Sequence, residues 1–156
     1  MNNNSGLKIG DYCPLFSLPN QYGELINMHH FIGERNLVIY FYPKDDTPGC
    51  TKEACAFRDR YEEFKDLGCE VFGISSDSLE KHQKFATKHR LSFTLLSDSS
   101  HDVRKMFGVP ANLFGLLPGR VTYVIDKKGM IRGIYNSQTD PIGHIEKALE
   151  TVRLLD

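Results

Sequence analysis

The stretch FYPKDDTPGCTKEACAFRD, residues 41–59, decides how this chain is interpreted. An apolar, strand-like segment ends at its first proline, and a helix start follows, with Thr47 as the N-cap and Pro48 at the first helical position. Two cysteines, Cys50 and Cys55, then stand five residues apart. This spacing is neither that of a zinc knuckle nor that of a thioredoxin Cys-x-x-Cys. The stretch therefore predicts a strand-to-helix junction that carries a thiol.

The segments around this junction alternate between strand and helix patterns. Strands are predicted from apolar and β-branched runs at residues 36–42, 69–75 and 93–98, and as two short strands around a turn at 20–23 and a hairpin of 120–126 with 130–135. Helices are predicted from apolar residues at helical spacing over residues 47–68, 78–90, 101–107 and 141–155. This order predicts an α/β domain with a mixed sheet between helices, three layers in all. It is compatible with a thioredoxin-like fold but does not establish one.

Composition and charge narrow the classes of function. The chain has 156 residues, of which 40% are hydrophobic and 25% charged, and its net charge is −1. These values predict one globular domain over residues 1–156, with residues 1–9 as a polar extension. Positive charge is scattered, so we expect no nucleic-acid partner, and apolar runs are strand-sized, so we expect no membrane span.

The polar start Met-Asn-Asn-Asn-Ser has no signal-peptide features, which favours the cytoplasm. A plastid location would follow if a transit peptide had been removed. Four cysteines are too few for a disulfide scaffold, and a reducing compartment would keep structural bridges open. We therefore expect any disulfide here to be transient and functional.

Cys50 occupies a position where a thiol can become reactive. The carboxyl ends of strands in α/β sheets are where ligands are usually bound, and the first turn of a helix offers free N–H groups at its positive end. Both features favour the thiolate, which is the nucleophilic form of cysteine. Asp45 and Asp46 oppose it, so a cation would be needed, and the local sequence offers only Lys44 and Lys52. The residues alone leave two interpretations open, a reactive thiol and a small buried hydrophobe.

Cys55 adds a geometric constraint. Five residues along an α-helix rise about 7.5 Å and rotate by about 500°, so the two cysteine side chains leave on different faces. A disulfide needs Cα atoms within roughly 7 Å and converging side chains. Either Cys55 is a core residue without a redox role, or the first turn of this helix must unwind during a redox cycle.

The motifs resemble those of a known family. PKDDTPGC resembles the peroxiredoxin pattern Pro-x-x-x-Thr-x-x-Cys, on Pro43, Thr47 and Cys50. CTKEAC with the following AFRD is similar to its bacterioferritin-comigratory-protein branch, also called the Q type. The likeness runs from about residue 10 to the last helix and includes GISSD, FTLLSD and LFGLLPGRVTYVIDKKG.

This resemblance implies a thioredoxin fold and a peroxidase that reduces hydrogen peroxide and organic hydroperoxides. It implies that Cys50 is the peroxidatic cysteine and becomes a sulfenic acid, that Thr47 hydrogen-bonds the peroxide and the sulfur, and that Pro43 shields the pocket. The family's active-site arginine falls on Arg120, which would supply the missing cation. Cys55 matches the resolving cysteine of many members and would form an intramolecular disulfide with Cys50.

The resemblance also implies partners. The substrate is a hydroperoxide, the reductant is thioredoxin or a similar dithiol protein, no cofactor or metal is expected, and a monomer is predicted because no dimerising arm is visible. Two other functions remain in consideration: a general dithiol-disulfide oxidoreductase, whose usual Cys-x-x-Cys is absent here, and a non-enzymatic redox sensor that uses Cys50 only to register oxidant.

Several other features have ordinary interpretations. Cys69 opens a predicted buried strand and is expected in the core, while Cys13 has no catalytic position to match. The histidines, among them the pair His82 and His89 on one helix face, are expected at the surface rather than around a metal ion. The apolar loop at residues 108–120 is expected to be a connector, with Phe114, Leu116 and Leu117 as a hypothetical wall of the active site.

Overall fold

The computed structural model describes residues 6–112 and 117–155. Its strands are β1 Ser17–Pro19, β2 Leu25–Asn27, β3 Asn36–Phe41, β4 Cys69–Ser75, β5 Thr94–Ser97, β6 Ala111–Asn112, β7 Leu117–Pro118, β8 Val121–Ile125 and β9 Ile131–Asn136. Its α-helices are α1 Pro48–Asp66, α2 Leu79–Lys88, α3 Asp102–Phe107 and α4 Pro141–Arg153, and a 3₁₀ turn covers Met28–His30.

A mixed sheet forms the centre of the described part of the molecule. Its strand order is β5-β4-β3-β8-β9, with β3, β4 and β5 parallel and with β8 antiparallel to both β3 and β9. All six residues of β3 are buried, as the continuous apolar run predicts for a strand covered on both faces. The predicted mixed sheet between helical layers is confirmed.

The two faces of the sheet carry separate hydrophobic clusters. On one face Val38, Tyr40 and Tyr42 pack with residues of α1 and α4, including Phe57 and Leu149. On the other face the alternate residues of β3 pack with α3, the 3₁₀ turn and β8; these are Leu37, Ile39, Phe41, Met28, Phe107 and Tyr123. Side chains that alternate across β3 therefore tie helices on both sides to one strand.

Differences from the predicted elements are concentrated at element ends. Thr47 has the extended backbone of an N-cap, but its hydroxyl makes no capping hydrogen bond. The 3₁₀ turn at Met28–His30 and the short β6–β7 pair inside the predicted connector were not anticipated. Each holds three residues or fewer per segment, too short for a periodic pattern to appear in the sequence.

Two further observations concern the connections and the helices. None of the described helices combines the length and the hydropathy that a bilayer crossing requires. The chain leaves β3 through a loop, residues 42–47, that leads directly into α1. This loop lies at the carboxyl ends of the parallel strands and positions Cys50.

Candidate active site

Cys50 lies in the first turn of α1, and its residue surface is 1% exposed. Pro43 and Thr47, on the loop before it, are each partly buried. The Thr47 hydroxyl donates a hydrogen bond to the carbonyl oxygen of Lys44, 2.9 Å away. Among the described contacts it makes none to Cys50. The hydroxyl oxygen keeps a lone pair for a further donor, such as a hydroperoxide O–H.

Arg120 brings a guanidinium to the sulfur. It precedes β8, is 3% exposed, and its Nη2 lies 3.5 Å from Cys50 Sγ. Gly49 makes this approach sterically accessible, because a Cβ at that position would lie 2.9 Å from Arg120 Nη2. Lys44 and Lys52, the cations nearest in sequence, are both exposed. The structure therefore places Arg120 beside Cys50, 70 residues away in sequence.

Glu53 is a site residue that the sequence analysis missed. Its Oε1 accepts a hydrogen bond from Arg120 Nη1 at 2.6 Å, and the carboxylate is completely buried. Burial raises the pKa of Glu53, and Arg120 lowers it without cancelling that rise. Glu53 stands three residues after Cys50, on the same side of α1, so both contact one guanidinium. The three-residue spacing from Cys50 was the one sequence signal for Glu53. A glutamate among charged and polar residues of a helix is, however, usually interpreted as solvent-exposed.

A histidine completes the buried surroundings of Glu53. His144 Nδ1 lies 3.6 Å from Glu53 Oε2 and 2.7 Å from the Thr122 hydroxyl, while its Nε2 lies 2.8 Å from the carbonyl oxygen of Ser137. A carbonyl can only accept, so Nε2 carries the hydrogen and Nδ1 accepts from Thr122. Burial also lowers the pKa of His144, which agrees with a neutral ring. The positive charge at the site therefore comes from Arg120.

The four cysteines are all unbridged, and only Cys55 is not fully buried. Cys55 lies within intact α1. A Cys50–Cys55 bridge would therefore require part of this helix to unwind. Burial raises the pKa of Cys13 to about 12 and that of Cys69 higher still. Burial therefore disfavours the thiolate, the reactive form, at both positions.

The expectation of surface histidines is wrong for His144, which is buried beside Glu53, and for His82. The His82 side chain is fully buried on α2, with Nδ1 2.6 Å from Asp45 Oδ2 and Nε2 2.9 Å from the carbonyl oxygen of Leu96. An amphipathic helix places one residue in three or four on its inner face. The sequence does not show that a histidine on that face would find buried hydrogen-bond partners. Asp45, Asp77 and His82 bring possible metal-ligand atoms within 4.8 Å of one another. Hydrogen bonds within the group already engage all three.

Two of the hypothetical wall residues, Phe114 and Leu116, lie outside the described residues, as does the side chain of Leu117. The hypothesis that they line the active site stays a prediction.

Comparison with known proteins places the chain among peroxide-reducing proteins. A model of the AhpC/TSA family matches residues 9–134. A chloroplastic peroxiredoxin Q from Populus jackii is 53% identical over 146 residues, 94% of this chain and 68% of that protein. The structure of peroxidoxin BcpB from Mycobacterium tuberculosis has a TM-score of 0.88 at 38% identity, covering 96% of this chain and 99% of that one. A cysteine-to-serine mutant of Xylella fastidiosa PrxQ has the same TM-score at 27% identity, covering 96% and 98%.

These comparisons confirm the predicted thioredoxin-like fold, the resemblance to Q-type peroxiredoxins and the enzyme class, a thiol peroxidase. The chain belongs to the AhpC/TSA family, in its peroxiredoxin Q branch.

Proposed function

We propose that Cys50 is the peroxidatic cysteine of this enzyme. Its thiolate attacks the terminal oxygen of a hydroperoxide, an S–O bond forms as the O–O bond breaks, and the leaving oxygen takes up a proton and departs as water or an alcohol. Sulfur loses two electrons to the peroxide and becomes a sulfenic acid. The observation that carries the proposal is the 3.5 Å contact between Arg120 Nη2 and Cys50 Sγ in a buried site.

Arg120 serves two charges in this reaction. Its guanidinium stabilises the thiolate before attack, and its donors stabilise the negative charge that develops on the leaving oxygen. Glu53 fixes the guanidinium from the other side through the 2.6 Å contact. Thr47 offers its hydroxyl oxygen to the hydroperoxide O–H, and Pro43 covers the pocket at the end of β3.

Cys55 is the proposed resolving cysteine. Its thiol displaces water from the Cys50 sulfenic acid, so that an S–S bond forms while the S–O bond breaks. A dithiol protein such as thioredoxin then reduces this disulfide by thiol–disulfide exchange. The step requires the first turn of α1 to open, because both cysteines lie on one continuous helix.

Peroxide consumption followed by stopped flow, with thioredoxin and its reductase, tests this cycle. We expect turnover in the wild type, none in Cys50→Ser, and one sulfenic acid per chain without turnover in Cys55→Ser. Cys13→Ser is the matched control and should keep turnover. Insulin reduction without peroxidase activity would support a general oxidoreductase instead, and oxidation without turnover a redox sensor.

Cellular location and assembly stay predictions. The Populus jackii relative is a chloroplast protein, which supports the plastid alternative, while the cytoplasm stays a prediction. Either compartment is reducing enough for a transient disulfide. We propose a monomer, and sedimentation of the reduced and the oxidised protein would test it.

A further inference from the structure

A buried aspartate lies at the middle of the active-site loop. Asp45 stands two residues after Pro43 and two before Thr47, the two loop residues proposed to shape the peroxide pocket. It is 7% exposed, whereas Lys44 and Asp46 on either side are exposed. The position of Asp45 therefore sets the positions of both pocket residues.

Asp45 is held by three groups from different parts of the fold. Its Oδ1 accepts from the Tyr42 hydroxyl at 2.5 Å, and its Oδ2 lies 2.6 Å from His82 Nδ1 on α2. Its backbone N–H donates to Asp77 Oδ2 at 2.8 Å, and the Ser75 hydroxyl donates to that same oxygen. These contacts fix the middle of the loop to the ends of β3 and β4 and to α2.

The proton positions of His82 follow from its partners. The carbonyl oxygen of Leu96 accepts only, so Nε2 of His82 carries a hydrogen. The other proton shared by His82 and Asp45 therefore lies in the 2.6 Å contact between His82 Nδ1 and Asp45 Oδ2. Such short, buried contacts with a charged group are among the stronger hydrogen bonds in proteins.

Ring packing of Tyr42 against His82 and Phe85 joins the start of the loop to α2, whereas the middle of the loop stands apart from the helix. An open cleft of about 230 Å³ separates Lys44, Asp45 and Asp46 from α2. Across its outer edge Lys88 Nζ contacts Asp46 Oδ1 at 3.1 Å, an exposed pair of small expected strength. Asp46 also has a left-handed backbone, with φ of 61°. The buried His82–Asp45 contact is thus the principal connection between α2 and the middle of the loop.

We propose that His82 is a positioning residue that acts on Cys50 through Asp45. The contact keeps Pro43 and Thr47 in place while peroxide is reduced, and it sets where unwinding begins when Cys50 turns towards Cys55, namely after Asp46. The inference rests on the proposed Cys50–Cys55 cycle. It extends the site to a residue on a helix that carries no cysteine.

The proposal predicts opposite effects on two successive steps. Without the His82–Asp45 contact the loop leaves its closed arrangement more often, so peroxide attack by Cys50 slows. The same loosening makes the unwound arrangement more frequent, so disulfide formation from the sulfenic acid becomes faster. A residue that only stabilises the fold would not shift the two rates in opposite directions.

Two substitutions at His82 separate its contacts. His82→Asn keeps an amide donor at the place of Nδ1, facing Asp45, while His82→Gln keeps one near the place of Nε2, facing Leu96. Rapid quenching and mass spectrometry after a single addition of hydrogen peroxide give both rates. For His82→Gln we expect sulfenic acid formation about tenfold slower and disulfide formation several-fold faster, the effect of losing one buried charged hydrogen bond. His82→Asn should stay within about twofold of the wild type, as should the exposed neighbour Gln83→Ala.

Tyr42→Phe gives a second test if His82→Gln folds poorly, because it removes another contact of Asp45 and keeps the ring. It should change both rates in the same directions, by less. Equal slowing of both steps, or unchanged rates in His82→Gln and Tyr42→Phe, would overturn the role of His82. Absence of a Cys50–Cys55 disulfide in the wild type would instead contradict the proposed cycle itself.

Discussion

Arg120 carries one positive charge that two acidic groups share. Its Nη2 faces the Cys50 sulfur and its Nη1 faces Glu53, in a site where Glu53 is completely buried. Burial raises the pKa of Glu53, so its carboxyl takes up a proton more readily than a solvated glutamate does. When Glu53 is protonated, it no longer competes for the guanidinium charge, and the Cys50 thiolate is stabilised more strongly.

Substitution of Glu53 separates its charge from its hydrogen bond. Glu53→Gln keeps an oxygen that can accept from Arg120 Nη1, so we expect kcat/KM for hydrogen peroxide to stay near or above the wild-type value. Glu53→Met removes the acceptor and leaves Arg120 without its anchor, so a loss of about tenfold is expected. Stopped-flow peroxide assays and circular dichroism of both variants provide the measurement and the folding control. Equal activity in the two would contradict the anchoring role.

Gly49→Ala tests the approach of Arg120 directly. The added Cβ would lie 2.9 Å from Nη2, so the guanidinium must move away from the sulfur. Alanine favours helix over glycine by about 1 kcal/mol, so thermal stability should not fall with activity. We expect kcat/KM for peroxide to drop between about tenfold and a hundredfold, the cost of a displacement near 1 Å. Lys52→Ala, an exposed change in the same helix, should leave the rate constant unchanged.

Single residues differed in how far the sequence could place them. Cys50 and Thr47 were predicted from a motif whose spacing resembles that of a family, and Arg120 from the wider resemblance to that family. Glu53 and His82 could not be placed, because their burial depends on partners that are distant in sequence: Arg120 is 67 residues from Glu53, and Asp45 is 37 residues from His82. A charged residue in a helix looks solvated until its partner is known.

Three features of the first turn of α1 lower the cost of opening it. It begins with Pro48 and Gly49, its N-cap Thr47 makes no side-chain capping bond, and the first N–H groups of any α-helix lack internal partners. Cys50 is buried in the same core cluster as Phe57 and Phe64, so its side chain must leave that cluster when the turn opens, whereas Phe57 and Phe64 need not move.

Amide hydrogen exchange of the oxidised protein tests this division of α1. In the Cys50–Cys55 disulfide form we expect faster exchange at residues 50–54 and unchanged exchange at residues 57–66, since only the first turns must unwind. Reduced protein is the reference, and oxidised Cys55→Ser is the control without an intramolecular bridge. Loss of protection along all of α1 would show that the helix melts as a unit.

Element types followed from the sequence more reliably than their ends. The apolar run of β3 and the helical spacing of α1 and α4 are long enough to be unambiguous. The end of α2 and the start of α3 were misplaced by one or two residues, because Arg90 and His101 take left-handed conformations that glycine usually takes. Local composition gave no sign of them.

At the scale of the whole molecule, two hydrophobic clusters of the described residues share the central sheet. Every residue of β3 belongs to one or the other cluster or is buried at their edge, so neither helical layer can separate without exposing β3. We therefore propose that the chain unfolds as one domain. Denaturant unfolding followed by circular dichroism and by tyrosine fluorescence should give one coincident transition; two transitions would contradict it.

Alkaline pH should weaken this structure. Burial raises the pKa of Cys13 from 9.0 to about 12, so the unfolded chain loses this proton before the folded chain does. Above pH 9 the unfolded state binds fewer protons, and the free energy of unfolding falls by up to roughly 1.4 kcal/mol per pH unit for this group. Cys13→Ser should make the decline between pH 9 and pH 11 shallower. A decline identical to that of the wild type would show that Cys13 ionises equally in both states.

The disulfide map after one equivalent of hydrogen peroxide distinguishes the proposed Cys50–Cys55 cycle from its alternatives. Reduced protein is oxidised, free thiols are alkylated, and the peptides are identified by mass spectrometry without reduction. We expect one intramolecular bridge, Cys50–Cys55, with Cys13 and Cys69 alkylated only after unfolding. A bridge from Cys50 to Cys13, or between two chains, would contradict it.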